Sequence, residues 1–422
     1  MGMTIIEKIL ASRSGQAKVS PGDVVVVDVD CQVLEDMSFF HFGRTGPRDI
    51  LKVWDPSKVV VIYDHDVPAP SARTAAIQDA GREFIKEFAI TRFHDIGRHG
   101  ICHAVVADHA YALPGTVLVC GDSHTCSAGA FNCAARGVSG PDTLYAITTG
   151  KTWFRVGETI RYDLDGRLPA GVSMKDVFLH IAGTYGDHAT QNVEFGGSGL
   201  PWLGMNARRT LTTMGAELSA EFATFEADDV LLDYIKERNP EPFEAQDPDP
   251  DATYRARRTI QLADIEPLVA LPDAVIDNSV PVGQVAGVPI QQAYIGSCAN
   301  GTLDDLKVAA EVVSGRQVAP GVRLIVTPAT QLIYRQAIKA GYVEKLVDAG
   351  AVVTNATCGA CYGGHMGVLG PGETCITAST RNFKGRMGDP TAQIYMASPA
   401  TVAASALAGV IAHPGEFFRG DV

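Results

Sequence analysis

The chain has 422 residues, 46% of them apolar and 20% charged, and its 48 acidic against 35 basic side chains give a formal charge of -13. That length exceeds what one hydrophobic core organises, so a soluble protein of two or three domains is expected. The acidic field repels phosphate backbones and argues against a nucleic-acid surface, and no stretch approaches the ~20 apolar residues needed to span a bilayer.

In chain order, the opening MGMTIIEKILASRSG has too interrupted an apolar run for a secretory signal and reads as a short amphipathic helix, which points to the cytoplasm. Apolar, β-rich runs at 24–27, 59–62 and 117–120 alternate with helix-like segments such as 75–88. That alternation predicts an α/β fold with buried, mostly parallel strands. Ligands in such sheets bind beyond the carboxyl ends of the strands. Polar clusters stand at three such ends: Asp64-His65 after VVVIY, Gly121-Asp122-Ser123-His124 after TVLVC, and Gly296-Ser297-Cys298 after QQAYI. Residues 303–313 continue from the last cluster as a helix. A weak break falls at 157–169. The Pro- and Asp-rich stretch 239–251 reads as an exposed linker, placing a domain boundary near 250.

Nine cysteines in a long chain without a secretory signal argue against a disulfide framework and for metal binding, catalysis or burial. Cys358-Gly-Ala-Cys361 puts two thiols within reach of one metal centre. Alone, the pair is compatible with zinc, with a thioredoxin-like redox motif, or with buried thiols. Cys298, at the apparent start of a helix, is favoured as thiolate. One distant and two paired thiolates suit a [4Fe–4S] cluster with one iron that lacks a cysteine and can act on substrate. Spacing alone leaves the other readings open. Cys375, in the alternating context Thr374-Cys375-Ile376, reads as a buried strand position, and Cys102, Cys120, Cys126 and Cys133 form no metal pattern.

Four runs together carry a resemblance: GDSHT from Gly121, GSCAN from Gly296, CGAC from Cys358 continuing to Gly367-Val-Leu369, and RNFKGRMG from Arg381. They resemble the aconitase superfamily, and within it the large-subunit branch of isopropylmalate dehydratases and homoaconitase-type hydro-lyases. The resemblance covers nearly the whole chain in order. It implies three α/β/α domains with mostly parallel sheets around a central [4Fe–4S] cluster, here 1–158, 159–250 and 251–422. It assigns the cluster to Cys298, Cys358 and Cys361. It also implies that a fourth, swivelling domain is absent and arrives on a small subunit, which brings the serine base, so that this chain alone should be inactive.

Dehydrating a malate-type acid requires removal of a weakly acidic C–H proton and expulsion of hydroxide, a poor leaving group. By the resemblance, His65 helps protonate the leaving hydroxyl while Asp64 orients it. His103, Asp122, His124 and Glu217 complete the catalytic set, because carboxylates beside imidazoles raise their basicity and fix their tautomers. Ser123, Arg381 and Arg386 are substrate-binding positions. Guanidinium forks suit carboxylates, and an acidic protein handling a dianion needs such local positive charge.

The chain also departs from the pattern. Thr213 and Thr380 stand where relatives commonly have Asn, Ala299 replaces the usual Thr, and Gly140-Pro141-Asp142 replaces a common Thr-Ser-Glu or Ala-Thr-Asp. Thr keeps a hydroxyl but loses reach and an amide donor. The expectation is therefore a cluster-dependent hydro-lyase of amino-acid biosynthesis type, acting on isopropylmalate, homoaconitate, or a smaller maleate or dimethylmaleate relative. An iron-sensing or RNA-binding protein on the same fold is the alternative from another class.

Overall fold

A computed structural model describes residues 2–39 and 52–417 of the chain. Two units divide it: Met1–Gly166 with His188–Ile260, and Arg167–Asp187 with Gln261–Val422. Among the described residues, no helix is long and apolar enough to cross a membrane.

The first unit begins with the helix Ile5–Ser14. Thr4 accepts the Glu7 N–H, Glu7 reaches back to the Thr4 N–H, and Gly15 closes the other end in the left-handed conformation. Its buried residues Ile5, Ile6, Ile9 and Leu10 share a core with Val25, Val27, Val117 and Val119. Strand β1 (Val24–Asp28) follows, then β2 (Cys31–Glu35), β3 (Val59–Ile62), β4 (Arg92–His94), β5 (Val117–Cys120), β6 (Ala134–Gly137) and β7 (Lys151–Arg155).

The four-valine run at 24–27 is a strand, but it is not one of the buried parallel strands its composition predicts. It pairs antiparallel with β7 in a two-stranded ribbon, Val26 opposite Trp153. Only one face of that ribbon is covered, so residues alternate between buried and exposed along both strands.

The sheet that positions chemistry is five-stranded and wholly parallel, in the order β4-β3-β2-β5-β6. Glu35 pairs with Ile62 and Val33 with Cys120. Asp36, Asp64 and Asp122 therefore leave the sheet at one edge, the carboxyl ends where ligands bind in such folds. The remaining strands of this unit, β8 (Glu158–Asp165), β9 (Gln191–Gly196), β10 (Ala223–Phe225) and β11 (Ala256–Gln261), form a second sheet in the order β10-β9-β8-β11. The helix Met205–Thr213 and the turn Met214–Leu218 run between β9 and β10.

Residues 239–251 hold no free linker. Asn132 donates to the Gln246 carbonyl at 2.9 Å and accepts the Gln246 N–H at 2.8 Å, and Asp249 accepts the Met3 N–H at 2.7 Å. Their polar side chains strap the segment to the first unit, and the units part at Ile260 instead.

The second unit is built on β12 (Leu268–Ala270), β13 (Ser279–Pro281), β14 (Gln292–Ile295), β15 (Arg323–Val326), β16 (Val352–Val353), β17 (Thr374–Thr377) and β18 (Gln393–Ala397). Their order is β13-β12-β18-β17-β14-β15-β16, parallel from β18 to β16 and antiparallel at β12 and β13. The segment Arg167–Asp187, with its helix Met174–Tyr185, belongs to this unit and not with its sequence neighbours in 159–250. Two buried polar anchors account for that: Asp176 accepts the Leu268 N–H at 3.0 Å, and the Lys175 ammonium donates to the Ser379 carbonyl at 3.0 Å.

Candidate functional site

In the first unit, three strand ends bring carboxylates and imidazoles together. The Asp64 carboxylate bonds the ring Nδ1 of its neighbour His65 and accepts the Cys102 N–H at 3.1 Å. Asp36, from the end of β2, accepts the backbone N–H of His65 at 3.0 Å and of Asp66 at 2.9 Å. With Glu35, these residues place four potential ligand or proton-carrying atoms within 4.8 Å of one another.

Three carboxylates cannot all ionise at that density in a buried place, and their proton affinities separate. Burial pushes the Glu35 carboxyl up to about 8 and that of Asp64 up to about 7, against the pull of His65. Asp36 goes the other way. Burial alone would raise it, but the His65 ring and the donated hydrogen bonds hold it well below the usual carboxylate range. Asp36 carries the fixed negative charge, and Glu35 is the neutral acid.

Beside β5, the Asp122 carboxylate lies 2.7 Å from His103 Nε2 and accepts the His124 backbone N–H at 2.7 Å. His124 Nε2 is in turn 3.1 Å from the Glu217 carboxylate, which the turn Met214–Leu218 delivers. The two rings stand edge to face, 6.4 Å between centroids. Both imidazoles are buried, and burial disfavours the imidazolium in each. In His103 burial prevails and the pKa falls below the ordinary value. In His124 the two carboxylates, Asp122 and Glu217, outweigh it and the pKa rises. Asp122, pressed upward by burial, is held well below its ordinary value by both rings. One ring is set to stay neutral and the other to hold a proton, a division of labour suited to acid–base chemistry. Ser123 is exposed at the head of the helical turn Ser123–Phe131, which also carries His124.

In the second unit, β14 ends at Ile295 and the chain turns through Gly296 and Ser297, the latter at φ 88, into the short helix Ser297–Asn300 that carries Cys298. The helix Leu303–Val313 follows, capped by Thr302. Cys358 and Cys361 flank the turn Gly359–Tyr362, with the Cys361 N–H bonded to the Cys358 carbonyl at 3.1 Å. Cys298 and Cys361 are buried and Cys358 is half-buried. Tyr294, fully buried in β14, donates its phenol to the Cys358 carbonyl at 3.2 Å. Burial, first, and then the thiols of Cys361, Cys358 and Cys298 push its pKa up.

These residues fit an iron–sulfur cluster. The donor set is three soft sulfurs on two turns, and the turn at Gly359 takes a left-handed φ of 55° that favours glycine. Cys375 lies on neither of these turns but inside β17, fully buried in the same core as Cys361 and Tyr294, with burial pushing its thiol far up. Thr380 places its hydroxyl 3.6 Å from Cys361 Sγ. Arg381 and Arg386, both half-buried, follow on the same segment. The Arg386 Nε is buried and meets no acceptor among the described residues.

Sequence reasoning missed Glu35, Asp36 and Tyr294. The first two carry the same signal that picked out Asp64, an acidic group directly after an apolar run, but they follow the less apolar CQVL. Tyr294 reads from sequence as one more strand aromatic.

Comparison with known proteins places these clusters in context. The profile of the aconitase family (aconitate hydratase) matches residues 50–286 and 277–409. A 3-isopropylmalate dehydratase large subunit of Mycolicibacterium smegmatis is 55% identical over 97% of this chain and 96% of its own length. A 3-isopropylmalate dehydratase large subunit 1 of Methanopyrus kandleri is 44% identical over 98% and 99%. A protein of Methanothermobacter thermautotrophicus named probable methanogen homoaconitase large subunit is 41% identical over 98% and 97%.

Proposed function

The chain belongs to the aconitase family and is a hydro-lyase of that type, and from that premise we propose that it interconverts a malate-type hydroxy acid and its unsaturated product, with 3-isopropylmalate as substrate. The carrying observation is Asp122, whose carboxylate bonds the His103 ring at 2.7 Å and lies 3.5 Å from the His124 ring, two imidazoles of opposite proton preference. The substrate rests on the relative that is 55% identical over nearly the full chain. Homoaconitate-type acids are the second reading, favoured by the relative that is 41% identical.

Cys298, Cys358 and Cys361 would hold a [4Fe–4S] cluster, which when bound supplies a Lewis-acidic iron to polarise the substrate hydroxyl. His65, its Nδ1 fixed by Asp64, delivers a proton toward the departing hydroxyl. His124 holds a proton between Asp122 and Glu217, while neutral His103 accepts one, so the pair can pass protons in either direction of a reversible hydration. Arg381 and Arg386 clamp substrate carboxylates, and Ser123 adds a hydroxyl. The relatives are named large subunits, which supports assembly with a small subunit that completes the site in the cytoplasm.

The test is anaerobic co-expression with the small subunit, iron and sulfide analysis, and direct assay of the unsaturated product from each candidate acid. Turnover of 3-isopropylmalate, lost in Cys298→Ala, is the expected result. Bound iron without turnover of any malate-type acid overturns the proposal.

A further inference from the structure

The turns that carry Cys298 and Cys358 belong to distant parts of the sequence, and one side-chain oxygen lies against both. A Cβ built on Gly296 would stand 2.8 Å from the Tyr294 phenol oxygen, and one built on Gly359 would stand 2.7 Å from it. Real Cβ atoms do not approach that closely, so the phenol fills the space that the two glycines leave. It is also bonded, donating to the Cys358 carbonyl at 3.2 Å. Behind it, the Thr327 hydroxyl lies 3.2 Å from the same Gly359 Cβ position and 2.9 Å from the Thr354 hydroxyl, so the floor under the cysteines is polar and packed.

We infer that Tyr294 is a positioning residue for the cysteine triad, its phenol setting the separation of the Cys298 and Cys358 turns. This rests on the proposed function, in which those cysteines hold a cluster. A phenylalanine would keep the ring and its burial but would lose the bond to the Cys358 carbonyl. The cysteine loop would then be free to shift toward the vacated oxygen.

The experiment uses the full chain, reconstituted anaerobically with iron and sulfide. Tyr294→Phe should keep the circular dichroism of the parent and take up iron. It should then release that iron to a chelator about five-fold faster, the factor that one hydrogen bond of about 1 kcal/mol is worth. The electron paramagnetic resonance spectrum should shift. Two glycine variants keep the test independent of how well Tyr294→Phe folds. Gly359→Ala would meet the phenol, whereas Gly372→Ala, at a similar positive φ, would meet nothing within 4 Å. Iron uptake should fall in Gly359→Ala, persist in Gly372→Ala, and recover in part when Tyr294→Phe is added to Gly359→Ala. Iron release and spectrum unchanged in Tyr294→Phe, or equal loss in the two glycine variants, overturns the inference while leaving the proposed function intact. A parent chain that binds no iron at all overturns both.

Discussion

Asp36 accepts the backbone N–H of His65 at 3.0 Å, and the same carboxylate oxygen lies 3.7 Å from the His65 ring nitrogen that bonds Asp64. A residue on one strand end therefore fixes the Asp64-His65 dipeptide on the next. Replacing Asp36 by Ala leaves the N–H groups of His65 and Asp66 buried without their acceptor, at a cost of about 1–3 kcal/mol. Asp36→Asn keeps one acceptor oxygen but removes the charge beside His65. The expected outcome is a lower urea midpoint for Asp36→Ala. For Asp36→Asn, kcat should fall about ten-fold with little change in KM, read from steady-state rates of the assembled enzyme. A KM effect alone would show that Asp36 touches substrate binding and not the proton carrier.

Glu35 gives a stability prediction with a defined sign. Its carboxyl is raised by burial to about 8 in the folded chain against an ordinary value near 4.5. The folded state therefore binds the proton that the unfolded state has already released, and stability falls as pH rises from about 4.5 to about 8. Glu35→Gln keeps a neutral, hydrogen-bonding side chain and removes that penalty. Thermal unfolding of the variant should match the parent at pH 5 and exceed it at pH 8, by about 2–4 °C for each kcal/mol recovered. A gain of equal size at both pH values would locate the effect in packing.

His124, beside Glu217, gives a second pH prediction. The two carboxylates raise the His124 pKa above its ordinary 6.5 despite burial. Their stabilisation is complete below that ordinary value and is lost as pH rises through the folded value. Glu217→Gln removes one of the two carboxylates, so His124 should give up its proton at lower pH. The limb of the pH–rate profile that reports a protonated imidazole should move toward acid. kcat should fall about 10²-fold above neutrality, within the usual range for a positioned acid. An unmoved limb would assign that titration to another group.

Much of this site was legible from the residues, for reasons that also explain the gaps. The runs VVVI and VLVC are buried on both faces in a parallel sheet, so they stand out as uninterrupted apolar strands, and the polar residues after them mark its carboxyl edge. The helix at 303–313 was bounded correctly because Thr302 and Asp305 form a local capping box. Val24 to Val27 misled because composition cannot tell a buried strand from a ribbon covered on one face. Residues 239–251 misled because a polar segment that hydrogen-bonds Asn132 and Met3 has the composition of a free one. The convergence of Tyr294 on two cysteine turns was invisible, since it depends on which strands become neighbours.

Thr213 and Thr380, the two threonines at which the sequence departs from the pattern expected by resemblance, lie in different surroundings. Thr213 is fully buried, and its hydroxyl has no hydrogen-bond partner among the described residues. Thr380 is equally buried, but its hydroxyl lies 3.6 Å from Cys361 Sγ. Thr→Val is nearly isosteric and exchanges the hydroxyl for a methyl. At Thr213 it removes an unsatisfied polar atom, so stability should be unchanged or rise by up to about 1 kcal/mol in urea unfolding, with iron content unaffected. At Thr380 it removes a contact to Cys361, and if that thiol holds the proposed cluster, the loss of such a neighbour lowers metal affinity by about 10-fold or more. Thr380→Val should therefore release iron to a chelator faster, while Thr213→Val should not. If both variants behave alike, the Thr380 hydroxyl does not act through Cys361, and the difference between these two departures is one of packing alone.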